Sequence, residues 1–168
     1  YVLACDQLRP KSRGEVKLRS ADPHDRPASH FNYMSHPDDT RELVEALKVM
    51  QELLTQPAFD EFRAERINPA PEAKTDSELE AWVRGYSSTD YHPCGTCRMG
   101  HDDLAVVDGQ LRVHGVDHLR VVDASVMPDI VSGNLNAPTQ MIGERAADYI
   151  LGKEQLPAEQ ASFHFLEP

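Results

Sequence analysis

Hydrophobic and polar positions change period along this chain. Gly14-Glu15-Val16-Lys17-Leu18-Arg19-Ser20 alternates apolar with charged residues, the period of a half-buried strand. Asp22-Pro23 breaks it. Phe31-Asn32-Tyr33-Met34 predicts a second short strand. From Asp38 the period lengthens. Asp38, Asp39 and Thr40 offer helix N-cap chemistry. Leu43, Val44, Ala46, Leu47, Met50 and Leu54 then recur at helical spacing, predicting a helix that ends near Gln56-Pro57. A second short helix is expected over 58–66, carrying Phe59 and Phe62, and Asn68-Pro69-Ala70-Pro71 reads as a loop. Thr75-Asp76-Ser77-Glu78 has the form of a capping box, with the acid three residues after the threonine. It should open a helix through Leu79, Trp82 and Val83 that stops near Gly85.

Past residue 90 the elements shorten. Val106 to Val113 reads as a hairpin turning at Asp108-Gly109. Leu119 to Val122 is a compact apolar strand. Pro138 to Leu151 returns to helical spacing, and Gly152 suits its end. Residues 153–168 read as an irregular tail. The chain thus divides into 1–90, strands and helices without a parallel rhythm, and 91–152, which carries the densest chemistry.

The 168 residues fit one domain, and no apolar run approaches a membrane span. The chain opens on Tyr1 without an initiator Met, so a piece of a longer protein is expected. Net charge is -11, which argues against binding nucleic acid. Arg9, Lys11, Arg13, Lys17 and Arg19 cluster early. They read first as a solvated strand face. The alternative is a peripheral contact with anionic lipid at the inner face of the cell membrane, where each base adds about 1 kcal/mol. Three cysteines, an odd number, do not suggest a disulfide framework, so a reducing, cytoplasmic setting is expected.

The chemistry concentrates in Tyr91-His92-Pro93-Cys94-Gly95-Thr96-Cys97-Arg98-Met99-Gly100. His92, Cys94, Cys97 and His101 have spacing that a small zinc-binding module could use. Pro93-Cys94-Gly95-Thr96-Cys97 also matches half of a zinc deaminase signature, but no upstream histidine supplies the required H-x-E. A redox C-x-x-C pair wants a helix after its first cysteine, which Gly95 and Gly100 oppose. Pro93 restricts the backbone of His92 and so aims its ring. Asp123 ends the strand at Val122, where it can cap the next turn or face a ligand. Asn134 and Asn136 flank the turn before the last helix, and a helix N-terminus attracts electron-rich groups. There is no G-x-G-x-x-G, so no complete nucleotide-binding unit is present.

Ser12-Arg13-Gly14-Glu15-Val16-Lys17-Leu18-Arg19-Ser20-Ala21-Asp22-Pro23, His92 to Gly100, Val121-Val122-Asp123-Ala124-Ser125-Val126-Met127-Pro128 and Gly133-Asn134-Leu135-Asn136 with Met141-Ile142-Gly143-Glu144 together resemble the glucose–methanol–choline (GMC) oxidoreductases. The likeness covers about residues 8–152. It implies an α+β fold, the C-terminal third or so of an FAD-dependent enzyme. Residues 1–90 would belong to the antiparallel sheet and flanking helices of a substrate-binding domain. Residues 91–152 would return to complete the FAD-binding domain. It implies catalytic roles for His92 and Asn136, with Asn134 the second choice, and flavin contacts from Asp123, Ala124, Asn134 and Asn136. No metal is implied. The expected substrate is a small alcohol, choline first and another primary alcohol next, oxidised by hydride transfer to flavin N5.

Overall fold

The computed structural model describes residues 2–69, 73–157, 159 and 160. Ala70 and Pro71 of the expected loop, and much of the expected tail, lie outside them. The alternating stretch at the start forms β1 (Glu15–Lys17), paired antiparallel with β2 (Ala28–His30), Val16 opposite Ser29. Gly14 lets the two backbones meet, because a Cβ there would stand 2.3 Å from the carbonyl oxygen of His30. The second strand therefore lies just before the one expected at 31–34. Residues 31–34 instead form a bend in which Asn32 and Met34 adopt positive φ, with the Phe31 and Tyr33 rings stacked at 5.2 Å. The expected half-buried strand face is not covered by the described residues, and Val16 remains 52% exposed.

α1 spans Pro37–Leu54. His36 caps it, Nδ1 accepting from the Asp38 backbone N–H, and Pro37 at the first position loses no needed donor. Its predicted stripe holds, with Val44 and Leu47 buried and Leu43 and Met50 beside them. The expected second helix is a shorter 3₁₀ turn, Pro57–Phe62. α2 spans Asp76–Tyr86 and carries the capping box of the sequence: Glu78 N–H donates to Thr75 Oγ1, and Glu78 Oε2 accepts from Thr75 N–H at 2.8 Å. α1 and α2 pack through Val44, Leu47, Leu79 and Val83.

Hydrogen bonds from the backbones of Thr75 and Lys74 and from the Thr75 hydroxyl hold the Glu78 carboxyl down at about 2. A depressed carboxyl contributes stability above its unfolded value near ~4.3 and loses it as pH falls through the folded value. Glu78→Gln should therefore flatten the fall in thermal midpoint between pH 4.5 and about 2. Circular dichroism melts across that range read it. Parallel curves for the two proteins would show that the capping acid contributes no such dependence.

The remaining core is separate. Val107, Leu111, Val126 and Ala146 are buried together, with Met99, Val121 and Ile142 against them. The expected hairpin is reduced to single bridges, Val107 with Val113 and Arg112 with Arg120. Leu111 closes a tight turn with Asp108 at positive φ. Apolar residues 119–122 contribute one bridge and not a full strand. α3, Asn136–Leu151, seats Ala146 in this core and ends at Gly152, whose φ of 65° is the left-handed cap that glycine allows. The helices and the small antiparallel sheet make an α+β chain.

Candidate active site

The ribbon from His92 to Gly100 is shaped by backbone bonds. Gly95 turns at φ 87°, with Arg98 N–H donating back to its carbonyl. Cys97 N–H then donates to Ser125 O at 3.0 Å, and Met99 N–H to Val126 O at 2.8 Å. On the other side Gly100 N–H reaches Val107 O. This stitching fixes residues 92–100 against the 3₁₀ turn Ala124–Val126. Asp123 caps that turn, Oδ1 accepting from Ser125 N–H at 2.7 Å. Its carboxylate is thus spent on the backbone, while Asp123 itself faces outward and Ala124 is half-buried.

One sequence-distant pair meets directly. Asn134 Nδ2 lies 2.8 Å from His92 Nε2. An amide N–H donating to that nitrogen leaves the ring proton on Nδ1. The His92 side chain is 27% exposed, so part of the ring remains reachable from the surface. Asn136 is placed otherwise: it is the first residue of α3, and its Oδ1 accepts from Gln140 Nε2 at 3.1 Å. The asparagine that the fold brings to the histidine is Asn134, where the sequence favoured Asn136. A polar residue in the first turn of a helix pairs readily with its neighbour four on, whereas one in the preceding turn is free to point across. Gln140 was the available signal.

The loop that carries Asn134 is held from far along the chain. Arg9 Nη2 donates to Ser132 Oγ at 2.9 Å, and Arg13 Nη2 to Asp129 Oδ1 at 3.0 Å. Lys11 pairs with Asp38, and Lys17 with Glu15. Four members of the early basic cluster therefore have partners within this chain. The backbone N–H groups of Lys11 and Ser12 both donate to the buried Asp39 at 2.8 Å. Burial pushes that carboxyl up, but the hydrogen bonds from Ser12, Lys11 and Gln7 outweigh it and hold the group below the usual carboxylate range. Asp39 thereby ties α1 to the segment that steadies the Asn134 loop.

The cysteines do not build a competing site. Cys5, Cys94 and Cys97 are free thiols, and burial, with Asp129 adding to it, pushes the Cys94 thiol up, away from the reactive thiolate. Among the described residues no group of three or more His, Cys, Asp or Glu side chains could hold a metal ion. The zinc module thus finds no ligand set there.

The N-terminus of α3 has no side-chain cap, and such an end attracts electron-rich groups. Val122 and Met141 are exposed.

Known proteins give this arrangement a class. A family model for the C-terminal domain of GMC oxidoreductases matches residues 10–143, and the chain belongs to that family. Oxygen-dependent choline dehydrogenase of Escherichia coli is 52% identical over 157 residues, 94% of this chain and 28% of the relative. Pyridoxine 4-oxidase from Mesorbium loti superposes with a TM-score of 0.82 at 30% identity, covering 88% of this chain and 29% of that one. Formate oxidase from Aspergillus oryzae, in a structure concerned with FAD modification, superposes at 0.80 with 34% identity over 86% of this chain and 26% of its own. The chain spans under a third of the length of these relatives.

Proposed function

We propose that this chain is the portion of an FAD-dependent alcohol dehydrogenase that supplies the proton-handling groups, and that the substrate is choline, oxidised to betaine aldehyde. The observation that carries the reading is the 2.8 Å contact between His92 Nε2 and Asn134 Nδ2, on a ribbon locked to the Asp123 turn. Identity of 52% to a choline dehydrogenase supports the choice of alcohol.

FAD, when bound, supplies the hydride acceptor. The chain's own part is with the hydroxyl. A substrate oxygen entering between the two side chains would give its proton to His92 Nε2, the nitrogen whose lone pair is free to accept it. Asn134 Nδ2–H would donate to the oxygen as it becomes alkoxide, stabilising charge where it develops. The uncapped start of α3 would meet the flavin, with Asp123, Ala124, Asn134 and Asn136 as the flavin-contacting residues the family resemblance implies. Residues 1–90 would serve the substrate domain and 91–152 the flavin domain. Exposed Val49, Leu53, Phe62 and Met141 would pack against the rest of the enzyme.

Mixing the full-length enzyme with choline in the absence of oxygen tests the reading. The yellow flavin absorbance should bleach, and betaine aldehyde should appear in equal amount. Bleaching by other primary alcohols but not by choline would sink the substrate. No bleaching by any alcohol would sink the reaction.

A further inference from the structure

We propose that Asp90 is a specificity-determining residue, the carboxylate that recognises a positive charge on the substrate close to its hydroxyl. The inference rests on the reading above. Its basis is the placement and the unspent charge of this one side chain. Tyr91 sits at φ 61°, a conformation that a bulky residue adopts only when its surroundings impose it, and its N–H is held by Thr89 Oγ1 at 3.0 Å. Across this bend Asp90 Oδ2 comes to 3.7 Å from His92 Nε2, the same nitrogen that Asn134 reaches.

Four acids around the ribbon are engaged elsewhere. Asp102 is paired with Arg98, Asp108 with Arg112 and Asp129 with Arg13, while Asp123 caps Ser125. Asp90, among the described residues, is paired with no Lys or Arg, and 3.7 Å is too long for a hydrogen bond to the ring. Exposed to water, such a carboxylate is unremarked. Oxidation of an alcohol needs the site closed against water, and a carboxylate left unpaired there is costly. A substrate that brings its own cation removes the cost. Choline meets the geometry: only two carbons separate its hydroxyl from its trimethylammonium, so a hydroxyl on Nε2 leaves the charge within reach of Oδ2. A neutral alcohol would leave the carboxylate unpaired, which turns the same group into a means of rejection.

The test compares choline with its neutral isostere, in which a tert-butyl group replaces the trimethylammonium, on full-length wild type, Asp90→Asn and Asp90→Glu. For Asp90→Asn, kcat/KM for choline should fall about 10-fold, mainly through KM, with the isostere changed less than about twofold. Inhibition by tetramethylammonium, which has no hydroxyl for His92, should weaken by a similar factor. Asp90→Glu should retain most of the preference. Equal losses on both alcohols, or none on either, would overturn the role of Asp90. Wild type that prefers the cation while Asp90→Asn keeps the preference also overturns it, but leaves the choline reading intact. Wild type without any preference for the cation overturns both.

Discussion

Replacing His92 with alanine in the full-length enzyme is expected to lower kcat by about 10²–10⁴-fold, the range for removing a positioned general base. The expectation follows from how the ring is held. Pro93 limits the backbone, Gly95 turns the chain, and two backbone bonds from Cys97 and Met99 lock the ribbon to residues 125–126. Among the described residues no other imidazole bonds Asn134: His114 is turned to Gly100 O. Alanine removes the ring and leaves that backbone scaffold untouched, so the flavin-to-protein absorbance ratio should stay at the wild-type value. His92→Gln, closer in size, should be impaired to a similar degree and guards against a packing defect. Turnover within about 10-fold of wild type, with flavin fully bound, would remove His92 from the proton transfer.

The second large effect separates two asparagines. Asn134→Ala should cost about 10²–10³-fold in kcat, the loss typical of one donor aimed at a developing oxyanion. Asn136→Ala should change kcat less than about twofold, because an exposed polar pair along a helix is worth only a few tenths of a kcal/mol. The contrast comes from direction. Asn134 reaches across to His92 Nε2, while Asn136 bonds Gln140 along α3. Steady-state kinetics of both variants at saturating alcohol decide it. The reverse order would return the catalytic role to Asn136.

Local signals account for much of the chain. Thr75 and Glu78 announced the start of α2, and the stripe Val44, Leu47 announced the buried face of α1. Gly152 marked the end of α3. Each depends on neighbours within a turn or two. The readings that moved were those needing a remote partner. The alternation around Val16 forms a strand only over Glu15–Lys17, and it stays exposed, with Val16 at 52%. The apolar runs at 106–113 and 119–122 make isolated bridges, because Leu111 at positive φ bends the chain before a ladder can extend.

The site divides in the same way. The motifs resemble the GMC family, to which the match over residues 10–143 assigns the chain, and they singled out His92, whose ring is aimed by local constraints, a proline after it and a glycine three residues on. Only the tertiary structure decided which asparagine meets that ring, that Arg9 and Arg13 hold the loop carrying it, and that Asp90 stands beside the same nitrogen with no Lys or Arg partner among the described residues. Those relations join residues far apart along the chain, and a hydrogen bond's few ångströms are set by how the backbone packs, which sequence spacing does not encode.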